Sequence, residues 1–205
     1  MRLTTKQHSL YWRERKIAWA EHYWNPEHPH RSLIVDALKK IKFYSVYEIG
    51  CGAGANLYRI LKEFPTIRVG GIDINKDAIE EAKKHLPSNA LLEPRDVVKD
   101  GIFMNDKSID VLISDACLIY IDPFKINNVM KEITRITRNA VVFVELHSSF
   151  LLERIKIRRK GYHIYNYKKL LQKHGFYDIE IKKIPKGVWD GTPWESHGYL
   201  IIAKI

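Results

Sequence analysis

Three glycines, spaced two residues apart between an apolar run and a helical pattern, constrain this chain most. The apolar run is Ser45–Ile49, the glycines are Gly50, Gly52 and Gly54, and the helical pattern is Ala55–Phe64. Glycine allows the backbone to turn sharply and to approach a ligand without an intervening Cβ. The N-terminus of the following helix favours a negatively charged group. This stretch therefore predicts a nucleotide-type binding loop after a β-strand.

Strand-like and helix-like stretches alternate through the centre of the chain. The predicted parallel strands are Ser45–Ile49, Ile67–Asp73, Ala90–Leu92, Ile109–Asp115 and Ala140–Leu146. Ala140–Leu146 is apolar nearly throughout, which is typical of a parallel strand that is buried on both faces. We therefore predict an α/β fold with a doubly wound, mainly parallel sheet and helices on both of its faces.

The end of the chain departs from this alternation. The strands predicted over Tyr177–Ile184 and Gly198–Ile205 have no helix-length pattern between them. Such strands must pair antiparallel or lie apart, so a C-terminal hairpin should complete a seven-stranded sheet. We expect one domain over 1–205, which suits a chain of this length. We divide this domain into three segments. Residues 1–44 form an N-terminal helical extension or lid, and residues 45–146 form the cofactor-binding core. Residues 147–205 contain the substrate-side insert, the last helix and the C-terminal hairpin.

Charge is distributed unevenly along the chain, which has a net charge of +10. Residues 1–44 carry nine Lys and Arg against four Asp and Glu, and residues 147–205 carry twelve against five. The centre carries thirteen against fifteen. These basic flanks indicate either solvated helix faces or a surface that attracts an acidic substrate.

Other features of the composition narrow the class of protein. The two cysteines form neither a disulfide framework nor a zinc-ligand cluster, so we predict no metal site. No apolar run is long enough to span a bilayer, and the N-terminal segment lacks the apolar region of a secretory signal. A cytoplasmic enzyme is the expectation, with no oligomeric state predicted.

The glycine loop does not by itself select a cofactor. It also fits the relaxed dinucleotide pattern G-x-G-x-x-A. Asp73 ends the next strand, twenty-one residues after Gly52, where its carboxylate can accept hydrogen bonds from both ribose hydroxyls. Both features suit a nicotinamide dinucleotide as well as S-adenosylmethionine.

Three acidic residues distinguish these two cofactors. Glu48 occupies a position that is usually apolar in a dinucleotide site, Asp96 follows the third strand, and Asp115 ends the fourth strand at the sheet's switch point. With them the chain resembles the class I S-adenosylmethionine-dependent methyltransferases from about residue 30 to residue 205. The matching stretches are Glu48–Gly54, Gly71–Ile74, Arg95–Val97 and Ile109–Asp115.

The resemblance implies S-adenosylmethionine as the cofactor and a role for each matching residue. The glycine loop would contact the methionine moiety, with Glu48 ordering the loop through its backbone. Asp73 would bind the ribose, Asp96 and Val97 would flank the adenine, and Asp115 with Ala116 would lie near the methionine amino group. Arg95 departs from the small residue found in many relatives, so the adenine contact is expected to differ. The predicted cofactor-binding set is Glu48, Gly50, Cys51, Gly52, Gly54, Asn56, Asp73, Ile74, Arg95, Asp96, Val97, Asp115 and Ala116.

The N-terminal segment is rich in aromatic residues, and methyltransferases of this fold often use such a segment as a lid. By this resemblance Tyr23 and Arg31 are expected to reach the methionine carboxylate or the acceptor. An amphipathic helix packed on the sheet is the alternative interpretation. Trp189 and Trp194, in the loop of the C-terminal hairpin, are expected to form another wall of the cleft.

The sequence predicts the acceptor in less detail than the cofactor. The sequence Asp115-Ala116-Cys117-Leu118 differs from the Asn- or Asp-Pro-Pro-aromatic motif of base N-methyltransferases, which argues against an adenine or cytosine amino group. His147, after the fifth strand, is the first candidate for a base, although a histidine that caps a turn is the competing interpretation. Tyr120 is the second catalytic candidate. We expect a small or glycan-like acceptor, acidic or phosphorylated, that is methylated at oxygen.

Three other functions are consistent with parts of the sequence. An RNA methyltransferase would use the basic flanks. An NAD(P)-dependent oxidoreductase would use Tyr165 and Lys169, which have the Tyr-x-x-x-Lys spacing of short-chain dehydrogenases but lack a serine about a dozen residues upstream. A non-catalytic nucleic-acid-binding protein would leave the glycine loop without a role and lacks a zinc pattern or a long basic run.

Overall fold

A computed structural model describes residues 5–158 and 161–205. The first four residues of the predicted N-terminal extension lie outside this part of the chain. The strands are β1 (Ser45–Ile49), β2 (Arg68–Asp73), β3 (Leu91–Pro94), β4 (Ile109–Asp115), β5 (Thr137–Leu146), β6 (Tyr177–Lys183) and β7 (Gly198–Lys204). The helices are α1 (Thr5–Glu14), α2 (Trp19–Tyr23), α3 (Pro29–Leu38), α4 (Ala55–Glu63), α5 (Lys76–His85), α6 (Val97–Asp100), α7 (Ile126–Ile136), α8 (Leu151–Arg158), α9 (Tyr167–Lys173) and α10 (Trp194–His197).

The described strands form one seven-stranded sheet in the order β3-β2-β1-β4-β5-β7-β6. β1 to β5 are parallel, and β7 pairs antiparallel with both β5 and β6. The predicted fold class is therefore confirmed, including the C-terminal hairpin. The strand order reverses between β1 and β4, and the carboxyl ends of these two strands border the crevice where such sheets bind ligands.

Apolar residues that alternate along each central strand build a core on both faces of the sheet. On β5, Val142 and Val144 pack with α3, α4 and α5, whereas Val141 and Phe143 pack with α7 and α9. Successive side chains of a strand point to opposite faces, so a continuous apolar run supplies both cores at once.

The predicted boundaries differ from the structure mainly at the ends of elements. α7 begins at Ile126, because Asp122 accepts the Phe124 N–H and forms a separate turn before the helix. The short helices α8 and α10 lie where the sequence predicted no helix. No helix in the described part of the chain is long and apolar enough to cross a bilayer.

The N-terminal extension performs two structural roles. α3 packs into the core through Ile34, Val35 and Leu38. α1 instead crosses the carboxyl edge of the sheet, where the Asn75 side chain, which follows β2, donates to the carbonyl oxygen of Trp12 at 2.7 Å. The packed-helix interpretation thus describes α3, whereas a lid function for α1 stays a prediction.

Candidate functional site

A cavity of about 320 Å³ lies at the carboxyl ends of β1, β2 and β4, beneath α1. All of the predicted cofactor-binding residues line it except Gly54. The lining residues used below are His8, Trp12, Tyr23, His30, Arg31, Glu48, Gly50, Gly52, Asn56, Asp73, Arg95, Asp96, Asp115, Tyr120, Tyr162, Trp189 and Trp194. The topology therefore gathers residues from the ends of four strands, β1 to β4, and from helices that include α1 to α4 around one space.

The glycine loop is fixed by its backbone and by the strand beside it. The N–H groups of Gly50 and Cys51 both donate to the Ile72 carbonyl oxygen, at 2.7 and 3.0 Å. Gly50 has φ +74°, and a Cβ there would lie 2.5 Å from the Cys117 sulfur. No atom lies within 4 Å of the position that a Cβ on Gly52 would occupy. The loop thus needs glycine for packing at Gly50 and leaves open space at Gly52.

Asn56, at the start of α4, joins two buried carboxylates. Its Nδ2 donates to Glu48 Oε1 at 2.6 Å and to Asp115 Oδ2 at 2.9 Å. The other oxygens, Glu48 Oε2 and Asp115 Oδ1, are buried without a hydrogen-bond partner. Burial raises the pKa of Glu48 to about 8. Glu48 therefore orders the loop through a side chain on α4, and two acceptor atoms are left for a donor.

Two side chains of α3 neutralise Asp115 from the opposite side. His30 Nε2 lies 2.8 Å from Asp115 Oδ2, and Arg31 Nη1 lies 3.6 Å from the same oxygen and donates to Asn56 Oδ1. Burial by itself raises the pKa of Asp115, but His30 and Arg31 outweigh it and hold the pKa below its usual value. Arg31 is thus at the cavity as predicted, whereas His30 was not predicted as a site residue.

Asp73 connects the end of β2 to the glycine loop. Its Oδ2 accepts the Gly52 N–H at 2.9 Å, and its Oδ1 accepts the Asn75 N–H at the same distance. Burial raises its pKa. Tyr23 lines the same part of the cavity and contacts the Trp12 ring edge-on, with centroids 6.1 Å apart. Asp73 therefore lines the cavity with a hydrogen bond to each carboxylate oxygen, and its ribose-binding role stays a prediction.

Asp96 is already engaged on both oxygens. Its Oδ1 caps α6 by accepting the N–H groups of Val98 and Lys99, and its Oδ2 accepts from Arg13 Nη2 at 2.7 Å. A hydrogen bond from Asp96 to an adenine amino group would have to compete with Arg13. Arg95 forms an ion pair with Glu93, in which Nη2 lies 3.0 Å from Oε2.

Comparison with known proteins agrees with this arrangement. The sequence model of a family described as "Methyltransferase domain" matches residues 46–140. This segment contains β1 to β4 and all of the strand-end acids described above. Residues 46–140 thus match a methyltransferase-domain family, and the sheet topology is that of the class I, Rossmann-like methyltransferases.

Two curated relatives of this methyltransferase-fold protein match a shorter segment. Malonyl-[acyl-carrier protein] O-methyltransferase 1 of Ilyobacter polytropus is 34% identical over 82 residues, which cover 40% of this chain and 30% of that protein. The bifunctional methyltransferase of Rickettsia typhi is 28% identical over 83 residues, 40% of this chain and 16% of that protein. The match therefore spans less than a third of either relative.

Solved structures share the fold over much more of the chain. The N-methyltransferase NodS of Bradyrhizobium japonicum, in complex with S-adenosyl-L-homocysteine, has a TM-score of 0.70 at 16% identity and covers 98% of both chains. Human N-acetylserotonin methyltransferase, in complex with SAM, has a TM-score of 0.62 at 19% identity over 87% of this chain and 51% of that one. At these identities the comparison establishes the fold.

One important residue of this methyltransferase-fold protein escaped the sequence interpretation. Glu145, near the end of β5, accepts from Ser114 Oγ at 2.8 Å and from the N–H groups of Cys117 and Leu118 at 3.0 and 2.9 Å. Burial raises its pKa to about 7. Glu145 thus shapes the turn that follows β4. A charged residue inside an apolar strand was the signal that could have revealed it.

The two catalytic candidates have different positions. Tyr120 lines the cavity, and burial raises its pKa. His147 is not among the residues that line the cavity, and its Nδ1 accepts the Tyr167 N–H at 3.1 Å. This hydrogen bond agrees with the competing interpretation, in which His147 caps a turn.

The hairpin loop contributes a wall to the cavity, as predicted. Trp189 and Trp194 stack with ring centroids 4.0 Å apart, and Trp189 stacks on His30 at 4.3 Å. This stack links the C-terminal hairpin to the residue that pairs with Asp115. In the described part of the chain, no group of His, Cys, Asp and Glu has the arrangement of a metal site.

Proposed function

We propose that this protein binds S-adenosylmethionine in the cavity and transfers its methyl group to a small acceptor. The observation that carries the proposal is the pair of carboxyl oxygens without a hydrogen-bond partner, Glu48 Oε2 and Asp115 Oδ1, buried beside the glycine loop. A buried acceptor without a partner costs free energy. A cationic ammonium group, such as that of the methionine moiety, supplies N–H donors to both oxygens.

The remaining groups of the cavity fit the remaining parts of this cofactor. Arg31 is a cation suited to the methionine carboxylate. Asp73 offers carboxylate oxygens suited to the ribose hydroxyls. Ile74 and Val97 line the part of the cavity near Asp96 and provide apolar surface suited to an adenine ring.

The residues of this chain would act mainly by alignment and exclusion of water. S-Adenosylmethionine supplies a methyl group on a positively charged sulfur, which an acceptor displaces in line. The Glu48, Asn56 and Asp115 network fixes one end of the cofactor, and Asp73 fixes its centre. α1 covers the cavity and keeps water from the reacting atoms.

For the acceptor, we infer a small molecule that is methylated at oxygen. One relative is a malonyl-[acyl-carrier protein] O-methyltransferase, which favours oxygen chemistry. The part of the cavity next to Tyr120 is lined by aromatic and aliphatic side chains, with no Lys or Arg among the described residues there. The predicted acidic or phosphorylated acceptor therefore has no basic partner there and stays a sequence-based prediction.

Thermal melting with S-adenosylhomocysteine tests the proposed cofactor. At a ligand concentration about one hundred times its Kd, binding stabilises the folded state by about 2.7 kcal/mol and should raise the Tm by several degrees. We expect Asp73→Asn to lose most of this shift. Asp36→Asn, an exposed change on α3, should keep it. A shift with NADH and none with S-adenosylhomocysteine would overturn the proposal.

A further inference from the structure

A chamber of aromatic side chains adjoins the predicted cofactor site. Its rings belong to His8 and Trp12 on α1, to Tyr120 in the turn after β4, and to Tyr162. The Tyr120 ring centroid lies 5.3 Å from that of His8, 5.2 Å from that of Trp12 and 5.9 Å from that of Tyr162. We call these four residues the aromatic chamber.

His8 has a buried ring nitrogen without a hydrogen-bond partner beside these rings. The side chain is 5% exposed, lines the cavity, and has no hydrogen-bond partner at Nε2. The ring is hydrogen-bonded to the backbone of Gly161, which engages Nδ1. Burial lowers the pKa of His8 more than this hydrogen bond raises it, so the imidazole is neutral at neutral pH. A neutral imidazole whose Nδ1 donates to a carbonyl has a lone pair on Nε2.

The charged residues that line the cavity lie apart from the aromatic chamber, whereas the Arg15 guanidinium, outside the lining, lies 5.0 Å from the Trp12 ring centroid. The charged lining residues belong to α3 and to the ends of β1 to β4, where the methionine, ribose and adenine are proposed to bind. Tyr120 contacts His8, and the lining residues Ser9, Trp12, Ile119, Tyr120, Ile121 and Tyr162 include no acidic or basic side chain. A flat, uncharged ring with a single hydroxyl fits such walls better than a phosphate or a polyhydroxylated sugar.

We propose that the aromatic chamber binds the acceptor as a hydroxyl-bearing aromatic compound, and that His8 Nε2 accepts the proton of that hydroxyl. This inference rests on the proposed methyltransferase function and names the acceptor class of the same site. His8 is then a catalytic residue, because its Nε2 contacts the reacting oxygen. Neither motif nor strand order indicated it, since His8 lies 42 positions before the glycine loop begins at Gly50.

The transfer balances without a further reactant. The acceptor oxygen forms a bond to the methyl carbon as the carbon–sulfur bond breaks, and the bonding pair stays on sulfur as a neutral thioether. The hydroxyl proton passes to His8 Nε2 and gives an imidazolium. After the product leaves, the imidazolium loses its proton to water.

Binding of matched ligands tests the role of His8 without relying on turnover. The probes are p-cresol and 4-methylanisole, which differ by the O–H that His8 would accept. Calorimetric titration in the presence of S-adenosylhomocysteine should show that p-cresol binds about fivefold to tenfold more tightly, the value of one hydrogen bond. His8→Phe keeps a ring against Tyr120 but has no nitrogen, so this preference should fall to about onefold.

Two further measurements separate the possible outcomes. His22→Phe, at an exposed histidine on α2, should keep the hydroxyl preference. Methylation of p-cresol should fall by at least about a hundredfold in His8→Phe, while the affinity for S-adenosylhomocysteine stays unchanged. The inference is overturned if the wild-type protein binds S-adenosylhomocysteine but does not bind p-cresol. An equal hydroxyl preference in wild type and His8→Phe also overturns it. Absence of S-adenosylhomocysteine binding in the wild type refutes the proposed function itself.

Discussion

Arg13 Nη2 on α1 lies 2.7 Å from Asp96 Oδ2, which belongs to a residue 83 positions further along the chain. The Arg13 side chain is 40% exposed and that of Asp96 is 7% exposed. Asn75 Nδ2 donates to the carbonyl oxygens of Trp12 and Arg15 at 2.7 and 2.9 Å. Polar contacts of this kind hold the C-terminal end of α1 over the cavity. α1 therefore lies over the cavity that a ligand would fill.

Replacing Arg13 by Ala should speed both entry and release of S-adenosylhomocysteine. A partly exposed ion pair contributes about 0.5–1 kcal/mol, so we expect both rate constants to rise about twofold to fivefold. Stopped-flow tryptophan fluorescence measures these rates. Lys62→Ala, which breaks an exposed pair with Glu27 outside the cavity lining, is the control. Unchanged rates in Arg13→Ala would show that the pair does not restrain α1.

Replacing Gly50 by Ala should destabilise the fold and abolish ligand binding. The new Cβ would lie 2.5 Å from the Cys117 sulfur, and the φ of +74° is unfavourable for alanine. Gly187 has φ +79°, and no atom lies within 4 Å of the position that a Cβ there would occupy. Gly187→Ala therefore measures the conformational cost of a positive φ without a steric clash, about 1 kcal/mol. We expect Gly50→Ala to lose about 2–4 kcal/mol by urea denaturation. Equal losses in the two variants would contradict the packing role assigned to Cys117.

The stability of the ligand-free protein should depend on Glu48 in a defined pH window. Its pKa is raised from 4.5 to about 8 in the folded state, so the folded protein binds more protons than the unfolded chain between these values. Stability therefore falls as the pH rises through this window. Glu48→Gln removes this titration. Its stability relative to wild type should increase by about 1 kcal/mol per pH unit across the window, measured by urea denaturation. A constant difference would mean that Glu48 is not protonated in the folded state.

Cofactor binding should release a proton near neutral pH. In the free protein Glu48, with a pKa of about 8, is largely protonated at neutral pH. An ammonium group beside its unpartnered oxygen would favour the ionised carboxylate. Calorimetric titration of S-adenosylhomocysteine in buffers of different ionisation enthalpy measures the proton count. We expect release of up to about one proton in wild type and close to none in Glu48→Gln. Equal release in both proteins would assign the proton to another group.

His147 should affect stability without affecting the affinity for the cofactor. Its Nδ1 accepts the Tyr167 N–H at the start of α9. His147→Ala leaves this buried donor without a partner, which costs about 1–3 kcal/mol. Chemical denaturation should show this loss, whereas the folded variant should bind S-adenosylhomocysteine with the wild-type Kd. A catalytic role for His147 would instead appear as a lower kcat at unchanged stability.

The local pattern of the sequence was sufficient for the fold and for one half of the cavity. Apolar runs of strand length, separated by helical patterns, determine a parallel sheet whatever the rest of the chain does. The carboxyl ends of parallel strands meet at one edge, so residues that end those strands, such as Glu48, Asp73 and Asp115, had to converge. For the same reason the glycine loop could be assigned to the start of a binding site.

The other half of the cavity had no local signal. His8, His30 and Glu145 resemble ordinary polar residues of a helix or strand until the fold brings them to Tyr120, Asp115 and the turn after β4. Asp96 shows the converse, since the motif predicted an adenine contact and the tertiary structure also gave it Arg13 as a partner. His147 follows a strand that ends near the site, but its ring accepts a hydrogen bond from the Tyr167 N–H at the start of α9.

The sequence alone determined which strand ends would meet, because hydrophobic periodicity and chain direction fix strand placement without reference to distant residues. Only the tertiary structure decided which oxygens of Glu48 and Asp115 stay without partners, and which side chains α1 brings over them. Both outcomes depend on contacts between residues that are far apart in the sequence, such as Arg13 and Asp96. The packing of α1 across the edge of the sheet sets these contacts.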